Sequence, residues 1–290
     1  TIKPFLYTLA MQEGMTPCDK VVNLPQTFVL PDGNTWTPRS TDKEQWIGKT
    51  VPLKWGLTNS SNNISAYLMK QFGPEAMADM MRRMGIRSHI DEVPALCVGP
   101  ADLSLWGMVS AYNTFPSRGV YIEPLFVTRI EDNQGNVISE FTNRKREAIG
   151  ENTAFLMVNL MEGVVQGGTA SRLRYRYKLM GEIAGKTGTT NDNADGWFIG
   201  YTPTLVAGIW IGAEDRKGHF QAINYGQGAH LSLTTWGIFM RKVIADGTLG
   251  VSENDRFIAP AGVTLDLNCT GGDDDAVADV QQKTEDYYFE

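Results

Sequence analysis

The sequence has few of the residues that build metal centres. Its three histidines (His89, His219, His230) and three cysteines (Cys18, Cys97, Cys269) are widely separated and show no metal-ligand spacing. No metal and no cofactor is therefore expected. The cysteines read as small hydrophobes, with a Cys18–Cys97 disulfide as an open alternative. Positive charge is not in excess either. The formal net charge is −7, and the segment from Asp266 to Glu290 holds eight acidic residues against one lysine, Lys283. The rest is close to neutral, which argues against a nucleic-acid binder. No apolar run approaches the roughly 18 residues of a membrane span. Thr1-Ile2-Lys3-Pro4 is not a natural start, so the sequence reads as part of a longer protein. Missing targeting signals then say nothing about compartment.

What is present is an ordinary globular composition, 42% hydrophobic and 20% charged over 290 residues. That length can bury one large core or two smaller ones. Ile2, Phe5, Leu6 and Leu9 recur at helical spacing, and Pro4 fits only a first turn, so a helix spans residues 1 to about 12. Residues 15 to 50 are rich in proline and turn signals. Helices are expected near Pro52, from Ile64 to Phe72, from Glu75 to Met84, from an opening at Pro100–Ser104 to about Phe115, over 151–165 and over 231–244. Asp132-Asn133-Gln134-Gly135 marks a hairpin. Helices early and between, with an antiparallel sheet built late, indicate an α+β fold. From Asp266 the chain is acidic and glycine-rich, and a disordered tail over 266–290 is expected after a domain over 1–265.

The stretch with most chemistry is Gly185-Lys186-Thr187-Gly188-Thr189-Thr190. It reads as one strand of an antiparallel pair, joined through a polar loop from Asn191 to Asp195 to Gly196–Tyr201. Glycine lets a ligand backbone lie close to a strand, and hydroxyls with an ammonium can hold a carboxylate. A solvated edge strand with one lysine is the plain alternative. Ser60-Ser61-Asn62 sits in a polar break between two helices, where serine and asparagine often only cap. Lys3 lies one turn into the first helix. A serine just before Thr1 would stand at i to its i+3 and share its face, so the amine could take the hydroxyl proton.

These pieces, in this order and spacing, resemble the penicillin-recognising serine enzymes, whose signature is Ser-x-x-Lys, Ser-x-Asn and Lys-Thr-Gly. In detail the sequence is similar to the transpeptidase domain of bifunctional class A penicillin-binding proteins over roughly residues 1 to 245. The matching stretches are Thr1–Tyr7, Val51–Lys54 leading into Ser60–Asn62, Arg129–Gly135, Gly163–Ala170, and Lys186–Thr190 with Trp197–Pro203. The resemblance implies an antiparallel sheet flanked by helices, here without the strands that precede the serine. It also implies a peptidoglycan DD-transpeptidase acting through a serine acyl-enzyme and inhibited by β-lactams. Its partners would be stem peptides, one giving a D-Ala-D-Ala donor and one an amine acceptor. The intact protein would carry a membrane anchor and a glycosyltransferase domain and work outside the cytoplasmic membrane.

By position the resemblance makes Lys3 the general base on a serine immediately before Thr1. Ser60 would relay a proton to the leaving group and Asn62 would hold the substrate's amide. Lys186 would supply positive potential. Thr187, Gly188, Thr189 and Thr190 would form the substrate site, with Thr187 and Thr189 on the donor carboxylate and the Thr189 N–H in the oxyanion hole. Ser61-Asn62-Asn63 is a second possible register, set aside because Leu57 and Ile64 flank Ser60 as the family requires. Ser40-Thr41-Asp42-Lys43 is a second Ser-x-x-Lys, in a stretch with poor helical periodicity. The competing readings are a serine β-lactamase or DD-carboxypeptidase, and a binding module without catalysis.

Overall fold

The computed structural model describes residues 1–263 other than 191–193, 216 and 221–222, together with 265 and 267–269. The first helix, α1 (Lys3–Gln12), is buried from Lys3 to Met11. A helix buried all round is a core element rather than a surface one. Pro4 occupies its first turn, where no backbone donor is lost. Two short ladders follow, β1 (Lys20–Val22) with β4 (Thr50–Pro52) and β2 (Phe28–Val29) with β3 (Thr35–Trp36). The proline-rich stretch thus holds small pieces of sheet that its turn signals obscure.

Three helices then wrap α1: α2 (Leu53–Thr58), α3 (Asn62–Phe72) and α4 (Pro74–Arg83). Gly73 ends α3 at φ +84, and Pro74 opens α4. The apolar face of α4 supplies Met77, Met80 and Met81 to the core, as filler among larger side chains. Next come α5 (Leu105–Tyr112) and β5 (Val120–Ile122). The hairpin of β6 (Arg129–Glu131) and β7 (Val137–Glu140) turns at Asp132, and β8 (Lys145–Glu147) returns to pair with β5. The longest helix, α6 (Glu151–Gln166), packs between α1, α2 and the main sheet. After a short α7 (Arg172–Tyr175), that sheet is built from β9 (Ala184–Thr189), β10 (Asp195–Tyr201) and β11 (Val206–Gly212). It is antiparallel in the order β11-β10-β9, with Lys186 opposite Ile199 and Gly188 opposite Trp197. The chain continues through α8 (Ile223–Gly226) to α9 (Ser232–Ala245), which packs on β10 and β11.

This is the α+β architecture expected from the sequence, with β9 at one edge of the sheet. The cysteines depart from expectation. Cys18 is bonded to Cys269, with Cα atoms 5.0 Å apart, and Cys97 is a buried free thiol. Pairing is decided by which Cα atoms the fold brings within about 7 Å, and spacing along the chain does not report that. Beside the disulfide, Lys54 Nζ donates to the Leu267 carbonyl at 2.7 Å and to Asn159 Oδ1 at 3.0 Å. The chain around 267–269 is therefore fastened to α2 and α6. The rest of the expected acidic tail, Asp266 and 270–290, lies outside the described residues.

Candidate active site

A cleft of about 1400 Å³ runs along the free edge of β9. The start of α1, the α2–α3 turn and the segments after α6 and before α9 form its other walls. The turn repays close reading. The Ser60 N–H donates to the Leu57 carbonyl at 3.1 Å and the Ser61 N–H to the Gly56 carbonyl at 2.8 Å. This bond pair is the Schellman ending of a helix, whose penultimate position normally takes glycine because φ is positive. Ser60 occupies it at φ +57. Ser61 then caps α3 by accepting from the Ile64 N–H at 3.3 Å. Two helix ends thus meet in adjacent serines. The Ser61 side chain is buried in the cap, and the Ser60 side chain is left for the cleft.

Two amines converge on Ser60. Lys186 Nζ donates to Ser60 Oγ at 2.9 Å and to the Thr187 carbonyl at 3.1 Å. Lys3 Nζ approaches Ser60 Oγ at 3.4 Å, donates to Asn62 Oδ1 at 2.6 Å, and also donates to the Ser60 carbonyl. A hydroxyl that accepts from amines on both sides keeps its own proton to donate. Both lysines are buried, Lys3 8% exposed and Lys186 1%. Burial lowers the Lys3 pKa to about 8, against the opposing pull of Cys97 and Asp42. Burial, and after it the charge of Lys3, hold Lys186 well below its ordinary value. A buried lysine poised near neutrality can act as a base.

Along β9 the remaining candidate residues face the same cleft. Thr187 Oγ1 lies 2.7 Å from Thr169 Oγ1, and Thr189 Oγ1 accepts from the Gly228 N–H at 3.1 Å. The Thr190 hydroxyl is engaged with Asp195, accepting from its N–H at 2.8 Å. At Gly188 an added Cβ would stand 2.7 Å from the Thr1 nitrogen and 3.2 Å from the Trp197 side chain, so the start of α1 reaches β9 only where a side chain is absent. The Thr1 carbonyl in turn accepts from the Tyr112 hydroxyl.

The structure therefore brings Lys3, Ser60, Asn62, Lys186 and the Thr187–Thr190 segment together. It does not bring Ser40 and Lys43 together as a pair on a helix. That stretch is non-helical, Ser40 Oγ accepts from the Asp42 N–H and from Asn63 Nδ2, and Lys43 is exposed. Several cleft residues escaped the sequence reading. Thr169, Arg172 and His230 line it, and Arg172 Nη2 donates to His230 Nε2 at 3.1 Å, which makes that ring nitrogen an acceptor. The Gly163–Ala170 stretch carried the family resemblance without giving Thr169 a place in the site. Among the described residues no three His, Cys, Asp or Glu side chains form a metal-binding group.

Comparison with known proteins bears on this geometry. The family model described as "Penicillin binding protein transpeptidase domain" matches residues 1–213. Penicillin-binding protein 1A of Neisseria meningitidis is 29% identical over 291 residues, covering 92% of this chain and 35% of that protein. Penicillin-binding protein 2D of Bacillus subtilis is 31% identical over 276 residues, covering 91% of this chain and 37% of that one. This chain thus spans about a third of the length of such relatives. Among solved structures, penicillin-binding protein 1A of Haemophilus influenzae superposes with a TM-score of 0.78 at 22% identity, over 90% of this chain and 43% of that one. PonA1 of Mycobacterium tuberculosis in complex with penicillin V superposes with a TM-score of 0.72 at 25% identity, over 90% and 71%.

Proposed function

We infer, from a chain that belongs to the penicillin-binding protein transpeptidase domain family, that this cleft cross-links peptidoglycan stem peptides through a serine acyl-enzyme. The observation that carries the reading is the Ser60 hydroxyl held between two buried amines, 2.9 Å from Lys186 and 3.4 Å from Lys3. A hydroxyl so placed can pass protons between a nucleophile and a leaving group.

The nucleophile in this reading is a serine immediately before Thr1, one helical turn from Lys3. Neutral Lys3 takes its proton as the oxygen attacks the carbonyl of the D-Ala-D-Ala bond. The oxyanion sits against the N–H of Thr189 and that of the nucleophile. Collapse breaks the C–N bond, and Ser60 delivers a proton to the departing D-alanine nitrogen while drawing one from the Lys3 ammonium. The acyl ester remains. An acceptor amine from a second stem attacks it, the ester C–O bond breaks, and the amine proton returns through the same groups to the serine oxygen. Splitting one amide exchange into two acyl transfers is nucleophilic catalysis. Thr187 and Thr189 bind the donor carboxylate beside Lys186, with Gly188 and Thr190 shaping the strand edge. Asn62 fixes the donor amide. A β-lactam enters as a donor mimic and leaves a slowly hydrolysed ester. The full-length protein works at the outer face of the cytoplasmic membrane, where this substrate is made, held there by an anchor outside this sequence.

The test is intact-mass spectrometry of the full-length protein with benzylpenicillin, followed by peptide mapping. One added β-lactam mass on the residue preceding Thr1 is the expected result. A label within residues 1–290, at Ser40 for example, overturns the assignment of the nucleophile. Rapid steady-state β-lactam turnover replaces transpeptidase by hydrolase, and no label at all leaves a binding module.

A further inference from the structure

The segment from Arg39 to Lys43 holds the second Ser-x-x-Lys, and although Arg39 and Thr41 line the cleft, no step described above uses it. It is nonetheless stitched to the catalytic turn residue by residue. Ser61 Oγ donates to Asp42 Oδ2 at 2.7 Å, Asn62 Nδ2 donates to the Arg39 carbonyl at 2.8 Å, and Asn63 Nδ2 donates to Ser40 Oγ at 3.3 Å. The segment closes on itself where the Asp42 N–H donates to Ser40 Oγ at 3.2 Å. Three consecutive residues after Ser60 are thus held by one strap.

Asp42 has the most consequential of these contacts. A serine hydroxyl has a single proton. Ser61 gives it to Asp42, which aims the oxygen lone pairs at the Ile64 N–H and so completes the α3 cap. The cap fixes the direction in which the chain leaves Ser60. Ser60 itself sits in a left-handed backbone conformation at φ +57, which a serine holds only when its surroundings impose it. We propose that Asp42 is a positioning residue of the reaction, which through Ser61 locks the turn that holds Ser60 between Lys3 and Lys186. The proposal rests on the transpeptidase reading of the cleft.

Asp42 also bears on charge. The titratable groups that face Lys3 are Lys186 from β9, Cys97 from the turn over Pro94–Val98, and Asp42 from the strap. Cys97 is itself pushed up to about 12 by burial, so at neutral pH it is an uncharged thiol. Asp42 supplies negative charge that favours the Lys3 ammonium.

The experiment measures the second-order rate of acylation by benzylpenicillin against pH, using the full-length protein, Asp42→Asn and Asp42→Ala. Asparagine at 42 still offers an oxygen to Ser61 but no charge. It is expected to keep most of the plateau rate and to shift the acidic limb of the profile to lower pH. Alanine loses both oxygens, so it is expected to shift the limb and to lower the plateau by about tenfold or more, as misplacement of a catalytic group does. A natural plateau in Asp42→Ala overturns the proposal, whatever the limb does. If Asp42→Ala does not fold, Ser61→Gly, which keeps the cap position but cuts the link to Asp42, is expected to lower the plateau likewise, and a natural plateau in it overturns the proposal. An unmodified protein that benzylpenicillin never acylates would refute the transpeptidase reading instead, and the two failures are told apart by that control.

Discussion

At the scale of one residue, Ser60 shows a conflict between fold and chemistry. The helix ending at Asn59 asks for glycine at the next position, and the cleft asks for a hydroxyl there. A left-handed conformation costs a residue with a Cβ about 1–2 kcal/mol. Ser60→Gly should therefore be more stable than the natural protein by about 1 kcal/mol while losing acylation by about a hundredfold or more. Ser60→Ala should lose acylation to the same degree without the gain in stability. Calorimetry beside penicillin labelling separates the two, and equal melting temperatures for glycine and alanine would dispose of the strain argument. Ser60, Asn62 and Lys186 stood out only through the order and spacing of three short motifs, since each residue type is ordinary in its own setting. Thr169 and Asp42 were not. Each acts on a partner some 18 or 19 positions away, at Thr187 and Ser61, and a lone threonine or aspartate in a loop has no sequence mark that distinguishes it from a solvated one.

Elements were read with uneven success, for a physical reason. The helices around α1 follow from apolar spacing and from proline and glycine stops, which are local. The two- and three-residue ladders of β1 to β5 are fixed by their partners across the fold, so turn-rich sequence hides them. Element boundaries also conceal charge. Glu162 lies half-buried on α6, and burial followed by the nearby Glu182 raises its pKa to about 7, against Lys54 and Arg174. Between the ordinary carboxylate range and about pH 7 the folded state keeps a proton that the unfolded state releases. Stability then falls as pH rises through that window. Glu162→Gln should remove this dependence, raising the melting temperature at pH 8 more than at pH 5. A variant with the natural pH dependence would mean that another group carries it.

For the molecule as a whole, one covalent bond matters most. The Cys18–Cys269 bridge has a sequence separation of 251, and Lys54 fastens the same segment to α2 through Leu267. A native disulfide typically contributes about 2–5 kcal/mol, through a large reduction in the freedom of the unfolded chain. Reduction, or Cys269→Ser, should lower the denaturant midpoint by a corresponding amount and leave the acylation rate under native conditions near its natural value. An unchanged midpoint would count against the bridge. The sequence contained all three thiols but no statement of which two meet, because that depends on a closure between the chain's distant ends.

That closure sets a timetable for making the protein. Cys97 stands nearer to Cys18 along the chain than Cys269 does, and is made before it. Until Cys269 is made, Cys97 is a wrong match open to Cys18 wherever the surroundings oxidise thiols. What removes the wrong match is burial: Cys97 sits fully enclosed in the folded chain, in a turn packed on α3. Where thiols oxidise, the helices around Cys97 protect it only once they have closed. In such surroundings, maturation of this domain is a race between packing and oxidant.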